Sequence, residues 1–218
     1  MAAWLDTFFA TFDYTILEFF HNIMEKYGNI LTPICKVLDA FGEIPFLLVF
    51  WVPVILFFII KDKKCSMMMI GSVIIGVILT NLILKNLIYR ARPYMSDIEV
   101  YKTWWQMVGG TTNWDTSFPS GHSCASMACA LGYFIWANKK RWTNYLIFLY
   151  PICMGMSRLC LVVHYPSDVI AGYIIGIISA FLCIPCVKLF FILFNKYPDF
   201  FFCRYCLTGK WKKEELNK

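Results

Sequence analysis

Five runs of this 218-residue chain are apolar over a length that suffices to cross a membrane. At about 1.5 Å per residue, an α-helix of about 20 residues spans a hydrocarbon core roughly 30 Å thick. Each run is predicted to be helical, because an isolated strand would leave its backbone groups unpaired in lipid. The predicted spans are Ile44–Ile60, Cys65–Tyr89, Gly121–Ala137, Asn144–Val163 and Ser167–Phe194.

The composition agrees with lipid as the surrounding solvent. Hydrophobic residues make up 59% of the chain and charged residues 16%, whereas soluble domains average roughly 45–50% and about 25%. This excess of apolar side chains excludes a disordered chain and disfavours a water-soluble monomer. The net charge is +6, but the basic residues lie at the ends of the apolar runs, as in membrane proteins, and indicate no nucleic-acid partner. The predicted fold is an all-α integral membrane protein with a bundle of five transmembrane helices.

Residues 1–43 show a different pattern. Apolar residues recur there at helical spacing, but four polar residues interrupt any stretch of spanning length: Asp13, Glu18, His21 and Glu25. An acid at the centre of a membrane helix costs about 2.5–3.5 kcal/mol on insertion scales. We therefore predict amphipathic interfacial helices over residues 1–43, the second at Leu31–Phe41 with Gly42 as its C-cap. A sixth span in this segment is the alternative.

Basic residues mark the segments that we expect to face the cytoplasm. They are Lys61, Lys63, Lys64, Lys139, Lys140, Arg141, Lys196, Arg204, Lys210, Lys212, Lys213 and Lys218. The extracytoplasmic side then holds residues 1–43, the Arg90–Ser120 loop and the Leu161–Pro166 turn. The expected organisation is an interfacial segment (1–43), a transmembrane domain (44–202) and a basic cytoplasmic tail (203–218) of a multi-pass protein in the cell membrane.

The extracytoplasmic ends of the predicted spans collect polar residues that are costly at membrane depth. In chain order they are Lys85, Arg92, Ser120, Gly121, His122, Arg158, His164 and Asp168. The three cations can neutralise a phosphoryl group, and the two arginines can do so bidentately. The amides that open a helix at Gly121 point towards an anion, with the helix dipole behind them. The set therefore indicates a site for a phosphate ester.

Two histidines fit a double-displacement reaction at phosphorus. Asp168 follows His164 by four residues and can hold one imidazole nitrogen, which leaves the other free as a nucleophile. His122 can protonate the leaving group, and water then attacks the phosphohistidine. We expect no metal and no other cofactor, because arginine and lysine can hold the charge of the transition state and no carboxylate cluster accompanies the histidines.

Single members of this set have simpler interpretations. Lys85, Arg90 and Arg92 can be snorkelling anchors at the end of a span, and we adopt that interpretation for Arg90, which matches nothing further. Ser120 and Asp168 can be helix caps. Only the combination of residues, in this order and spacing, favours a phosphate site.

Three further residues receive no functional assignment. His21 is interpreted as a lone histidine of the amphipathic helix. Cys203 and Cys206 have the spacing of a metal or redox pair, but no second pair or histidine follows them.

Small residues form stripes on two of the predicted spans. The third span carries Gly121, Ala125, Ala128 and Gly132, and the fifth carries Gly172, Gly176 and Ala180. Such stripes allow membrane helices to approach closely. We therefore predict that the third and fifth spans are in contact, which would bring His122 near His164.

The order and spacing of the polar residues resemble the type 2 phosphatidic acid phosphatase family of membrane lipid phosphatases. The three blocks of that family are Lys-x6-Arg-Pro, Pro-Ser-Gly-His and Ser-Arg-x5-His-x3-Asp. This chain has Lys85-x6-Arg92-Pro93, Pro119-Ser120-Gly121-His122 and Ser157-Arg158-x5-His164-x3-Asp168. Many bacterial members have six spans, so the five predicted here are a departure that bears on residues 1–43.

The resemblance implies roles for the matched residues. It implies that His164 is the nucleophile, that Asp168 orients it and that His122 is the acid for the leaving group. It implies phosphate binding by Lys85, Arg92, Ser120, Gly121 and Arg158.

The expected function is that of an outward-facing hydrolase of lipid phosphates or diphosphates. For a chain of this size the resemblance implies undecaprenyl diphosphate as the substrate; phosphatidylglycerophosphate, phosphatidate and diacylglycerol diphosphate are alternatives. A phosphotransferase with the same site is a second class, and a transporter is disfavoured because the spans lack a polar path. The blocks recognise phosphate and not the alcohol, so the lipid, the choice between hydrolase and transferase, and the oligomeric state stay open.

Overall fold

The structure, a computed structural model, describes residues 2–41, 62–112, 115–137 and 141–196. These residues form helices and connecting turns, and no strand occurs among them. The helices are α1 (Ala2–Phe8), α2 (Ala10–Ala40), α3 (Lys63–Leu87), α4 (Glu99–Met107), α5 (Gly121–Trp136), α6 (Leu149–Cys160) and α7 (Pro166–Lys196). The prediction of a helical fold is confirmed over this part of the chain.

Two helices of the described segments are long and apolar enough to cross a membrane, namely Lys63–Leu87 and Pro166–Leu193. They correspond to the second and fifth predicted spans. The third is the 16-residue helix α5, and the fourth is divided between a 3-10 segment, Trp142–Phe148, and α6. The predicted span Ile44–Ile60 and the tail 203–218, with its two cysteines, lie outside the described residues. Five spans therefore stay a prediction.

Helix α3 changes its hydrogen-bond pattern shortly before its end. The stretch Ile78–Leu84 is π-helical and runs directly into Lys85. A π-helical turn accommodates an extra residue, and such bulges are frequent at functional sites. The direction in which Lys85 points therefore does not follow from α-helical periodicity.

From Ala10 onwards the N-terminal segment forms one long helix, with no second helix beginning at Leu31. Helix α2 is continuous over Ala10–Ala40 with Pro33 inside it, so the separate helix predicted at Leu31–Phe41 is wrong. An internal proline costs about 3 kcal/mol or more, and burial of one face of the helix offsets that cost. Leu17, Met24 and Cys35 are buried on this face. Gly42, the predicted C-cap, lies outside the described residues.

Helix α2 packs on the end of the bundle where the predicted site residues lie. Leu17 is buried in a core cluster with Tyr101 and Trp104 of α4 and with Leu159, Val162, Tyr165 and Val169. Met24 and Cys35 belong to a second cluster with Tyr94, Val108, Cys160, Leu161 and Val163. His21 stacks on Trp104 with ring centroids 4.5 Å apart. The N-terminal segment is thus part of the core and not only an interfacial anchor.

The predicted contact between the third and fifth spans is confirmed. A Cβ atom on Gly172 of α7 would lie 2.5 Å from the Ser120 carbonyl oxygen, and one on Gly176 would lie 2.6 Å from the Cys124 carbonyl oxygen of α5. Gly132 belongs to another contact, because its Cβ would lie 2.8 Å from the Met68 carbonyl oxygen of α3. Helix α5 therefore packs between α3 and α7.

Substitution of Gly172 by alanine is expected to impair both stability and turnover. The new methyl group would collide with backbone at Ser120, which cannot yield as a flexible side chain can, and overpacking of this kind costs typically 1–3 kcal/mol. Thermal unfolding in detergent and phosphate release would measure the two effects. The matched control is Gly28→Ala in α2, where the added atom meets only Thr32 Oγ1 at 3.6 Å. Equal behaviour of the two variants would contradict the close contact between α5 and α7.

Candidate active site

Most of the sequence-predicted site residues lie at the ends of four helices, whereas Arg92 and His164 lie in connections between helices. Lys85 lies in the last turn of α3, Arg158 in the last turn of α6, and Ser120 caps the N-terminus of α5. The Ser120 N–H donates to the Asp168 carbonyl in the first turn of α7 at 3.1 Å, and the Val163 N–H donates to the Arg158 carbonyl at 3.2 Å. Backbone hydrogen bonds thus hold the Pro-Ser-Gly-His block and the last block together.

His164 is buried in the connection between α6 and α7, with 1% of its surface exposed. Its Nε2 atom lies 3.3 Å from Arg92 Nη1, and its Nδ1 atom lies 3.4 Å from Ser117 Oγ and 3.6 Å from Asp168 Oδ2. A guanidinium can only donate, so Nε2 accepts and the ring proton belongs on Nδ1. This arrangement leaves the lone pair of Nε2 on the side of the cations.

The environment of His164 keeps its imidazole neutral. Burial and the positive charges of Arg92 and Arg158 lower the pKa of His164 well below its ordinary value of 6.5. A neutral imidazole retains the lone pair that a nucleophile needs. His164 is therefore an uncharged base that faces the positively charged side chains of Arg92 and Arg158.

Asp168 is fully buried behind His164 and is satisfied by several donors. Its Oδ2 atom accepts hydrogen bonds from Ser117 Oγ at 2.5 Å and from the Tyr165 N–H at 3.0 Å, and its Oδ1 atom accepts from Arg90 Nη1 at 2.6 Å. A buried carboxylate is tolerated when a cation and hydrogen bonds compensate its charge. Asp168 is thus held in a fixed position beside the imidazole.

Lys85 and Arg92 share a carboxylate that sequence reasoning did not single out. Asp115 pairs through Oδ2 with Lys85 and through Oδ1 with Arg92, and its carbonyl accepts from Arg92 Nε at 3.0 Å. Burial alone would raise the pKa of Asp115, but the contacts with Lys85 and Arg92 outweigh it and lower the pKa to about 2. A phosphate group would have to compete with this carboxylate for both cations.

The third predicted phosphate ligand, Arg158, pairs with Asp39 near the end of α2. Asp39 Oδ1 also lies 3.8 Å from His122 Nε2, and that nitrogen is buried with no hydrogen-bond partner among the described residues. Helix α2 therefore contributes to the predicted site the carboxylate of Asp39, which lies between Arg158 and His122.

The start of α5 has the form expected of an anion-binding helix N-terminus. Ser120 is fully buried and its side chain accepts a hydrogen bond from the Ser123 N–H at 3.4 Å. The first amides of a helix lack partners within the helix, and a Cβ atom on Gly121 would meet only Asn81 Oδ1 at 3.5 Å. The approach to the Gly121 and His122 amides is thus open to a small anion.

One sequence-based interpretation needs correction. Arg90, interpreted as a snorkelling anchor, is 2% exposed and donates a hydrogen bond to Asp168. Two carboxylates that the sequence analysis did not single out, Asp39 and Asp115, pair with the predicted phosphate-binding cations. The sequence could not indicate the pairing of Asp39 with Arg158, because the two residues are 119 positions apart in the chain. Arg90 could have been suspected from its position two residues before Arg92.

The part of the chain that contains the three blocks matches a family of known proteins. The family model of the PAP2 superfamily matches residues 66–192. The chain is 37% identical over 70 residues to a lipid A 4'-phosphatase of Bacteroides thetaiotaomicron, which covers 32% of this chain and 31% of that protein. It is 31% identical over 68 residues to the undecaprenyl-diphosphatase BcrC of Bacillus subtilis. This matched segment covers 31% of this chain and 34% of that protein. The chain thus matches about a third of the length of these relatives.

The fold has a counterpart among solved structures. The crystal structure of Aquifex aeolicus LpxE superposes with a TM-score of 0.58 at 22% identity, over 78% of this chain and 94% of that chain. At this identity the similarity bears on the fold alone. Since the family model covers more than half of the chain, this protein belongs to the PAP2 superfamily.

Proposed function

We propose that this protein is a membrane phosphatase that hydrolyses a lipid phosphate or diphosphate through a phosphohistidine at His164. The observation that carries the proposal is the setting of His164. Its Nε2 atom faces Arg92 at 3.3 Å, while Nδ1 faces the buried carboxylate of Asp168. Such an imidazole is neutral, oriented and placed beside groups that attract a phosphoryl group.

In the proposed first step, phosphate oxygens replace the carboxylates of Asp115 and Asp39 on the three cations. His164 Nε2 then attacks phosphorus, the bond from phosphorus to the leaving oxygen breaks, and protonated His122 gives its proton to that oxygen. Lys85, Arg92, Arg158 and the amides at the start of α5 hold the charge of the transition state. Asp168 stabilises the positive charge that develops on the imidazole.

In the proposed second step, water attacks the phosphohistidine. Neutral His122 takes a proton from the water, the phosphorus–nitrogen bond breaks, and His164 returns to its neutral form with release of phosphate. No step needs a metal, because the cations of the chain perform the electrostatic work.

The proposed substrate is undecaprenyl diphosphate, which would yield undecaprenyl phosphate and phosphate. Relatives named undecaprenyl-diphosphatase and lipid A 4'-phosphatase support a lipid substrate, and two membrane-length helices beside the site support access from the bilayer. Phosphatidylglycerophosphate and phosphatidate are the alternatives, as is transfer to another hydroxyl. We place the site on the extracytoplasmic side, in accordance with the distribution of basic residues.

Phosphate release by the purified full-length protein in detergent tests this proposal. The substrate panel is undecaprenyl diphosphate, phosphatidylglycerophosphate, phosphatidate, diacylglycerol diphosphate and lipid A, and a labelled phosphate group distinguishes hydrolysis from transfer. We expect the fastest release from undecaprenyl diphosphate, inhibition by vanadate and full activity in a chelator. Absence of release from every lipid would refute the function. Loss of activity in the chelator, restored by zinc or magnesium, would refute the mechanism.

A further inference from the structure

Arg90 is the most extensively bonded side chain behind the site. Its guanidinium donates from Nε to Asp6 at 2.7 Å, from Nη1 to Ser167 Oγ at 2.7 Å and to Asp168 at 2.6 Å, and from Nη2 to Asp13 at 2.8 Å. The ring of Tyr165 covers its face at 3.9 Å. Every nitrogen of the guanidinium is thus used, and the group has 1% of its side chain exposed.

Asp13 connects this arginine to α2. It is 2% exposed, and its Oδ1 atom accepts from the Ser167 N–H at 2.9 Å while Oδ2 accepts from Ser167 Oγ at 2.7 Å and from Arg90. Ser167 immediately precedes Asp168 in the first turn of α7. The carboxylate of Asp13 therefore binds both the arginine and the backbone beside the residue that faces His164.

This network of hydrogen bonds joins the helices, and it also compensates buried charges. Asp168 and Asp13 are both buried, and each needs the single guanidinium between them to compensate its charge. Without Arg90, Asp168 would keep its hydrogen bonds from Ser117 and Tyr165, but it would lose the cation that compensates its buried charge. A carboxyl group that is protonated for lack of this cation would hold the Nδ1 proton of His164 poorly. The hydrogen bonds of this guanidinium go to Asp6, Asp13, Ser167 and Asp168, none of which is a predicted phosphate ligand.

We infer that Arg90 is a positioning residue, which holds Asp168 against His164 and couples helix α2 to the reaction through Asp13. The inference rests on the proposed function of the His164–Asp168 pair. It assigns to residues 1–43 a part in turnover beyond attachment to the membrane surface. Because Arg90 acts on the nucleophile and not on the phosphate ligands, its loss should affect the chemical step and leave phosphate binding intact.

The test compares four variants of the full-length protein in detergent. They are Arg90→Gln, Arg90→Lys, Asp13→Asn and, as the matched control, Asp6→Asn, whose carboxylate also accepts from Arg90 but is half exposed. The measurements are kcat, KM, the inhibition constant of inorganic phosphate, and the melting temperature. Rates are taken per folded protein, as judged by size-exclusion chromatography.

For Arg90→Gln we expect kcat to fall about 10- to 100-fold, by analogy with the loss of an outer partner that orients a metal-bound histidine. KM and the phosphate inhibition constant should stay within about twofold. Arg90→Lys should recover part of the loss through its charge, Asp13→Asn should lower kcat less than Arg90→Gln, and Asp6→Asn should match the unaltered protein.

Three results would overturn the inference. One is a wild-type kcat in Asp13→Asn and Arg90→Lys with only a lower melting temperature, which would make the network purely structural. The second is an equal loss of phosphate inhibition and of turnover, which would place Arg90 among the phosphate ligands. If the unaltered protein releases no phosphate from any lipid, the proposed function itself fails and the inference fails with it. Asp13→Asn keeps the test decisive if Arg90→Gln does not fold.

Discussion

Replacing His164 by alanine is expected to abolish phosphate release, with a fall in kcat of at least about 10⁴-fold. The substitution removes the imidazole whose Nε2 atom faces Arg92 and whose Nδ1 atom faces the buried carboxylate of Asp168. Loss of a nucleophile typically costs more than loss of any single stabilising contact. Turnover assays in detergent, together with circular dichroism to verify the helical fold, would measure the effect.

Two further measurements make the result specific. His21→Gln, at a histidine that stacks on Trp104 outside the site, should keep wild-type turnover and serves as the matched control. Rapid acid-free quenching of the unaltered protein with labelled substrate should trap phosphate on His164, as identified by mass spectrometry. Retained turnover in His164→Ala, or label on a different residue, would show that the nucleophile is assigned wrongly.

Replacing Arg92 by alanine is expected to lower kcat by about 10²- to 10³-fold, the cost typical of removing one donor that holds transition-state charge. Arg92 Nη1 lies 3.3 Å from the nitrogen that is proposed to react, and Arg92 also donates to the Val163 carbonyl at 2.7 Å and to Asp115. Arg92→Lys should recover only part of the activity, because an ammonium cannot reproduce the planar fork.

The loss of the Val163 contact gives Arg92→Ala a structural effect as well. A buried carbonyl left without its donor costs about 1–3 kcal/mol, so the melting temperature should be measured beside kcat. Lys102→Ala, at an exposed residue of α4, is the matched control and should change neither quantity. Undiminished turnover in Arg92→Ala would remove this residue from the proposed mechanism.

Much of the fold and of the site was predictable because the relevant information is local or carried by motif. The apolar runs marked α3 and α7 through their length and composition, and the small residues marked the contact of Gly172 and Gly176 with α5. The roles of His164 and Asp168 stay predictions, but their juxtaposition followed from a spacing of four residues at a helix start. These features depend on neighbours within a few turns of the chain.

The N-terminal segment was predicted less well. Asp13 was interpreted only as a polar residue that interrupts an apolar stretch of an amphipathic helix, and Asp39 received no assignment from the sequence. Both are buried and each pairs with an arginine, Asp13 with Arg90 and Asp39 with Arg158. The residues of these pairs are 77 and 119 positions apart in the chain. No periodicity can indicate a partner at such a separation.

The amino-acid pattern alone therefore indicated a helical chain suited to lipid and the three blocks that are proposed to carry the phosphate chemistry. The pairing of the buried charges came from folding: Arg90 between Asp13 and Asp168, and Asp115 beside Lys85 and Arg92. The reason is electrostatic. The cost of burying a charge depends on which opposite charge lies within a few ångströms, and that distance is defined only after distant helices have packed.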